Sequence, residues 1–227
     1  MSEATKELIQ GVLMVVAALI PIVNPVGNAP FFLALTADQD DAARAVLARK
    51  VAINGFALLL AAIFFGGYVL DFFGVTVPVV QIAGGLVLGS LAWKLLHESS
   101  AARKQPPMPD PADPTTEARA FYPLTLPLTV GPGAISVAVT IGANFPSTVQ
   151  PFIADAISAA IGACIVCMTT YLCFRYSERL TGMLGASGTA VVMRLSAFIL
   201  LCIGVQIMWN GADALFGFTK ALRPAAP

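Results

Sequence analysis

Polar side chains of this sequence stand beside prolines and glycines inside apolar runs, a placement suited to binding a small ligand. Asn24 and Asn28 belong to one such run, and Thr125, Thr129 and Ser136 belong to another. Amide and hydroxyl oxygens accept hydrogen bonds from an ammonium group. Free backbone amides at a helix start favour an anionic group such as a carboxylate. These residue types therefore predict binding of a compact zwitterion.

The prolines of the two runs recur at one spacing. Pro21, Pro25 and Pro30 of the first run correspond to Pro123, Pro127 and Pro132 of the second. Proline removes a backbone donor, clashes with the preceding turn and favours an extended residue before it. Two interrupted apolar segments at matching places in two halves indicate a transporter binding site. We therefore expect both segments to be broken helices at membrane depth, where freed backbone groups face protein or a wet cavity.

The second run predicts the start of a half-helix. Proline suits the first helical position, and glycine lets a ligand approach the backbone closely. We expect Gly131 and Pro132 to begin this half-helix, with the segment 27–31 as its counterpart. The predicted substrate-binding residues are Asn24, Gly27, Asn28, Thr125, Thr129, Gly131, Gly133, Ala134 and Ser136. The alternative is that the prolines are only kinks that let helices pack.

Composition identifies an integral membrane protein. The chain is 57% hydrophobic and 11% charged, with a mean hydropathy of +0.81, whereas soluble domains are about 25% charged. Apolar windows of about 20 residues predict an all-α protein of six transmembrane helices, at 8–35, 51–70, 77–96, 121–143, 151–174 and 195–216. We expect one domain, 1–227, built as a 3+3 inverted repeat whose first and fourth helices are broken. Repeat 1 covers 8–97, a proline-rich linker covers 98–120, and repeat 2 covers 121–216.

Four polar residues within the predicted spans are candidates for lining a pathway. They are Gln81, Asp155, Gln206 and Asn210. Ionisable residues inside a membrane commonly serve ion or proton transfer, although Asp155 also fits a solvated charge at a helix start. Gln206 and Asn210 are four apart and share a helix face, where they either bridge helices or line a path.

The sequence resembles the MarC family of six-span membrane proteins, which includes neutral amino acid transporters. The resemblance rests on the stretches 21–28 and 123–136, on Ile-Ala-Gly-Gly at 82–85, and on Arg194, Leu195 and the stretches 204–206 and 210–211. Family members often carry an arginine directly before Ile-Ala-Gly-Gly, where this chain has Gln81. The resemblance implies an inner-membrane transporter of Gly-, Ala- or Ser-like amino acids.

Residue types and net charge also bear on enzymatic activity, cofactors and binding partners. Its single histidine and the lack of a metal-binding pattern such as HExxH give no reason to expect an enzyme, metal or cofactor. A formal charge of zero argues against nucleic acid. Expected partners are the lipid bilayer, the amino acid and a coupling ion, H⁺ or Na⁺, with a homo-oligomer left open. A channel or a non-transporting regulatory membrane protein is the alternative function.

The positions of the basic residues predict the orientation. The connections after the first, third and fifth spans hold, with their flanks, ten of the 13 Lys and Arg. By the positive-inside rule these connections face the cytoplasm and both termini face outward. A reporter active only in the cytoplasm and fused after Pro227 should therefore be silent. Strong reporter activity would show that the C-terminus lies in the cytoplasm and that the predicted orientation is wrong.

Overall fold

The computed structural model describes residues 3–37, 39–97, 120–146 and 148–217, and this part of the chain is helical without β-strands. In order the helices are α1 (Glu3–Val23), α2 (Pro25–Leu35), α3 (Asp41–Phe73), α4 (Val77–His97), the π-helical α5 (Ala120–Thr129), α6 (Pro132–Ala143), α7 (Val149–Arg175) and α8 (Ser177–Phe216). Apart from Ala120, the predicted linker 98–120 lies outside the described residues.

The first interrupted segment has a single break, at Asn24. This residue is left-handed, with φ 47° and ψ 59°, a conformation that asparagine tolerates better than most residues. Its side-chain oxygen accepts from the Gly27 backbone N–H at 3.2 Å, and Pro25 occupies the first helical position of α2. The expected helix start within 27–31 is therefore wrong, because Asn24 caps α2 and starts it earlier.

The second interrupted segment is broken more extensively. Tyr122 (φ −127°, ψ 125°), Leu126 (φ −109°, ψ 127°) and Gly131 (φ −84°, ψ 177°) are all extended. Each stands directly before a proline, as the steric effect of the proline ring requires. α6 begins at Pro132 with Gly131 as its N-cap, which confirms the predicted half-helix start.

Five helical segments of the described chain are long and apolar enough to cross a membrane. They are Thr5–Leu35, Asp41–Phe73, Val77–Lys94, Phe152–Arg175 and Ser187–Phe216. The predicted fourth span, 121–143, is instead divided between α5 and the short apolar α6. The all-helical membrane fold is thus confirmed at the level of its long apolar helices.

The helices pair in a defined pattern. α4 packs along α8, α1 packs on α7, and α3 packs on both α6 and α7. Smaller contacts join α4 to α6 and α2 to α8. At the end of the molecule that holds the basic connections, Phe32 of α2 stacks on Phe174 of α7 with ring centroids 4.4 Å apart. Both rings are fully buried, so this end is closely packed.

Glycines bring the backbones of α4 and α8 into direct contact. A Cβ at Gly85 would lie 2.5 Å from the carbonyl oxygen of Gly204. A Cβ at Gly204 would lie 2.8 Å from the Gly89 nitrogen. Small residues permit this approach between membrane helices.

This contact predicts that Gly204→Ala destabilises the protein. The added methyl meets backbone atoms of α4, which cannot rotate away, so we expect a loss of about 1–3 kcal/mol. The melting temperature in detergent should fall by about 2–4 °C per kcal/mol. The matched control is Gly67→Ala in α3, where a Cβ would meet nothing within 4 Å. Equal melting temperatures for the two variants would contradict the close packing of α4 on α8.

Candidate functional site

One asparagine side chain joins the two interrupted segments. The Asn28 Nδ2 group donates to the carbonyl oxygens of Val23 and Leu128, at 2.8 Å in each case. Val23 ends α1 directly before the first break, and Leu128 lies in α5 shortly before the second. Asn28 therefore holds the two breaks against each other.

The two carbonyls need this donor because of the local sequence. In an α-helix each carbonyl accepts from the amide four residues later. The partner of Val23 would be the Gly27 N–H, which instead donates to the side chain of Asn24. The Leu128 carbonyl has no helical partner because α5 ends at Thr129, Gly131 is extended, and Pro132 has no N–H. Asn28 supplies the missing donor to both carbonyls.

Two buried threonines stabilise the irregular backbone of the second interrupted segment. Thr125 Oγ1 donates to the Ala120 carbonyl at 2.7 Å, and Thr129 Oγ1 donates to the Leu124 carbonyl at 2.8 Å. Both side chains are almost fully buried. Their donor hydrogens therefore satisfy the irregular backbone of α5, and their oxygens retain capacity to accept.

A seam between α4 and α6 covers the start of the half-helix. Ser136 Oγ donates to the Val80 carbonyl at 3.1 Å, and Gln81 Nε2 donates to Thr140 Oγ1 at 3.4 Å. A Cβ at Gly133 would lie 3.1 Å from Leu88 Cδ1. The first turn of α6 is thus packed against Leu88, and Ser136 is bonded to α4.

A cavity of about 430 Å³ lies between α1, α4, α6, α7 and α8. Its lining residues are Gly11, Met14, Val15, Ala18, Gln81, Val137, Thr140, Ile141, Asn144, Phe145, Asp155, Ser158, Ile207 and Asn210. Apart from the residues of α1, which lie along its middle, they belong to or adjoin the ends of these helices that face outward under the positive-inside orientation. The cavity therefore lies toward the opposite end of the molecule from the stacked Phe32 and Phe174.

The structure separates the predicted residues into two groups. Three of the four candidate pathway residues, Gln81, Asp155 and Asn210, line the cavity. The fourth, Gln206, is exposed and donates to Asn210 Oδ1 at 2.8 Å. This bond confirms that Gln206 and Asn210 share a face. The nine predicted substrate-binding residues lie at the two breaks and along α6, and they are not among the lining residues of the cavity.

Sequence reasoning missed three polar residues of the cavity wall, Ser158 on α7 and two residues near the end of α6. Thr140 and Asn144 follow Ser136 on α6 at intervals of four residues, and both line the cavity. Residues at this interval share a helix face. That pattern within an apolar helix was the available signal for a polar stripe leading from the second break to the cavity.

The fold and site define a helical integral membrane protein with two interrupted apolar segments. A profile of the MarC family of integral membrane proteins matches residues 9–216. The chain belongs to the MarC family.

Individual relatives resemble the chain over most of its length. The inner membrane protein MarC of Salmonella typhimurium is 29% identical over 217 residues, which cover 90% of this chain and 95% of the relative. The membrane protein YvbG of Bacillus subtilis is 28% identical over 200 residues, covering 88% and 92%. No solved structure matches the chain.

The contacts of Asn28 generate a test of the joined breaks. Asn28→Leu removes the donor from two carbonyls, and each group left unsatisfied costs about 1–3 kcal/mol. We therefore expect a clear fall in melting temperature in detergent. Asn210→Leu is the matched control, because Asn210 is exposed and its one described side-chain bond is to Gln206. An Asn28→Leu protein as stable as this control would show that the bridge contributes nothing.

Proposed function

We propose that the chain is an inner-membrane transporter of small neutral amino acids that works by alternating access. The observation that carries this proposal is the pair of interrupted membrane segments held together at their breaks by Asn28. Interrupted helices that meet in this way form the substrate sites of many transporters. The names of relatives as inner membrane proteins support the location.

The helix pairing supports an inverted 3+3 repeat. Let the first three spans be α1 with α2, α3, and α4, and the last three be α5 with α6, α7, and α8. The exchange replaces α1 by α5, α2 by α6, α3 by α7 and α4 by α8. It converts the α1–α7 pairing into the α5–α3 pairing, the α2–α7 contact into the α6–α3 pairing and the α2–α8 contact into the α6–α4 contact, and it leaves α4–α8 and α3–α7 unchanged. All of these contacts are present, as a pseudo-twofold axis requires.

The two ends of the molecule support an outward-facing arrangement. The outward end holds the cavity, whereas the cytoplasmic end is filled by a buried cluster around the stacked Phe32 and Phe174. A transporter that exposes its site to one side at a time needs such a difference between its ends. Transport would require the cavity to close and the cluster around Phe32 to open.

We further propose that the substrate carboxylate binds the first turn of α6. The buried Gly133 and Ala134 leave little side-chain bulk there, and a helix start attracts an anion. The ammonium group would bind the acceptor oxygens of Asn24, Asn28, Thr125 and Thr129. Since Leu88 covers Gly133, the seam between α4 and α6 must open before the substrate enters.

Exchanging side-chain volume across the seam tests this site. Leu88→Ala with Gly133→Val moves three carbon atoms from α4 to α6, so total volume is kept. The branched side chain then occupies the proposed carboxylate position. Purified protein in proteoliposomes should show saturable uptake of labelled alanine that glycine and serine inhibit and leucine, lysine and glutamate do not. The double variant should lose this uptake at least tenfold while remaining folded.

The control exchanges volume on the face of α6 that packs against α3. Gly66→Val with Val139→Gly moves the same number of carbon atoms between α6 and α3, because Gly66 packs directly on Val139. This variant should transport. Gly142 cannot serve as a control, since a Cβ there would collide with the Ile63 carbonyl. Wild-type uptake by the Leu88 and Gly133 double variant would reject the carboxylate site, and absence of saturable uptake in the wild-type protein would reject the transport function.

A further inference from the structure

We propose that the outward cavity binds the primary ammonium group of a small molecule, with the Asp155 carboxylate as its counter-charge. The cavity would then be a first docking site that a substrate occupies before it reaches the breaks. The assignment of the ligand as an amino acid rests on the proposed transport function, whereas ammonium binding in the cavity does not.

The charge in the cavity selects for a cation. Among its described lining residues, Asp155 is the one charged side chain. It lies on α7, about nine ångströms from the start of that helix at Val149, at about 1.5 Å per residue. Because none of the described lining residues carries a positive charge, an ammonium group entering the cavity would be the natural partner of this carboxylate.

The hydrogen bonds of the cavity wall select for a donor. Gln81 donates through its amide nitrogen to Thr140 Oγ1, and Asn144 donates through its amide nitrogen to the Thr140 carbonyl at 2.7 Å. The Ser158 hydroxyl donates to the Leu8 carbonyl at 3.4 Å. With these donors engaged, the amide oxygens of Gln81 and Asn144 can accept further hydrogen bonds, and the Asp155 carboxylate lines the same cavity. A primary ammonium offers three donors and no acceptor, which complements such a wall.

The size and remaining walls indicate an organic ligand. A volume of about 430 Å³ falls in the range of small-molecule sites, about 300–1,000 Å³, and exceeds the space that one inorganic ion needs. Apolar side chains such as Met14, Val15 and Ile207 form much of the lining. A short aliphatic amine or a small amino acid therefore fits both the polar and the apolar parts of the wall.

This site is distinct from the proposed carboxylate site. Thr140 of the cavity lies seven residues beyond Gly133 along α6, about 10 Å at about 1.5 Å per residue. A glycine or alanine molecule is too short to contact both places at once. A substrate would therefore bind at Asp155 first and move along the α4–α6 seam to the breaks afterwards.

Thermal stabilisation tests ammonium binding without requiring transport. A ligand that binds the folded protein raises its melting temperature with a concentration dependence set by its dissociation constant. Detergent-purified full-length protein is titrated with ethylammonium chloride, using choline chloride to hold ionic strength constant. We expect saturable stabilisation of the wild-type protein. Asp155→Asn should weaken the apparent affinity about fivefold, the upper end for an exposed ion pair.

Matched variants and probes make the result decisive. Asp71→Asn makes the same chemical change at an exposed residue of α3 outside the cavity lining, and its ethylammonium affinity should equal that of wild type. Sodium propionate, which has a carboxylate and no ammonium, should show no dependence on Asp155. Equal ethylammonium affinities in wild type and Asp155→Asn would overturn the proposal. So would an absence of stabilisation beyond choline, or an equally Asp155-dependent effect of sodium chloride.

Uptake of labelled alanine by the same variants separates this proposal from the transport function. Asp155-dependent ethylammonium binding without alanine uptake would retain the ammonium site and reject transport. Saturable alanine uptake with Asp155-independent ethylammonium binding would retain transport and reject the ammonium site.

Discussion

The constraint on which this structure depends is that a carbonyl freed inside a membrane needs a donor from the protein, since lipid supplies none. Asn24 diverts the Gly27 amide and Pro132 has no amide to give, so Val23 and Leu128 each lose the usual helical partner. The side-chain amide of Asn28 has two donor hydrogens and satisfies both carbonyls. One side chain of the first half thereby stabilises the irregular backbone of both halves.

The prolines predicted the location of the two interrupted segments better than the backbone conformation within them. In the second segment each proline has an extended residue before it, as local sterics dictate. In the first segment the helix continues through Pro21 and Pro30 and breaks only before Pro25. Asn24 adopts a left-handed conformation and absorbs the change of direction in one residue. The break falls at Asn24 because its side chain accepts a hydrogen bond from the Gly27 N–H, and the spacing of the prolines alone does not reveal that bond.

The candidate site was predictable as a set of residues and less so as a set of contacts. Helical spacing correctly placed Gln206 and Asn210 on one face, but periodicity does not say which neighbouring helix that face meets. Asn210 lines the cavity and Gln206 does not. Likewise, the sequence shows Ser136 as a polar residue within an apolar helix, yet its bond to Val80 depends on the close approach of α4. The substrate roles of the residues at the breaks stay predictions.

The backbone contact between α4 and α8 has a mechanical consequence. Where side chains separate two helices, rotamer changes can accommodate sliding. At Gly85, Gly89 and Gly204, however, backbone atoms face each other with no side chain between them. The two helices should therefore translate and tilt together as one rigid body. Relative motion must then occur at the faces of α4 that carry flexible side chains. The contact of Leu88 with α6 would be the place where this rigid pair of helices turns against α6.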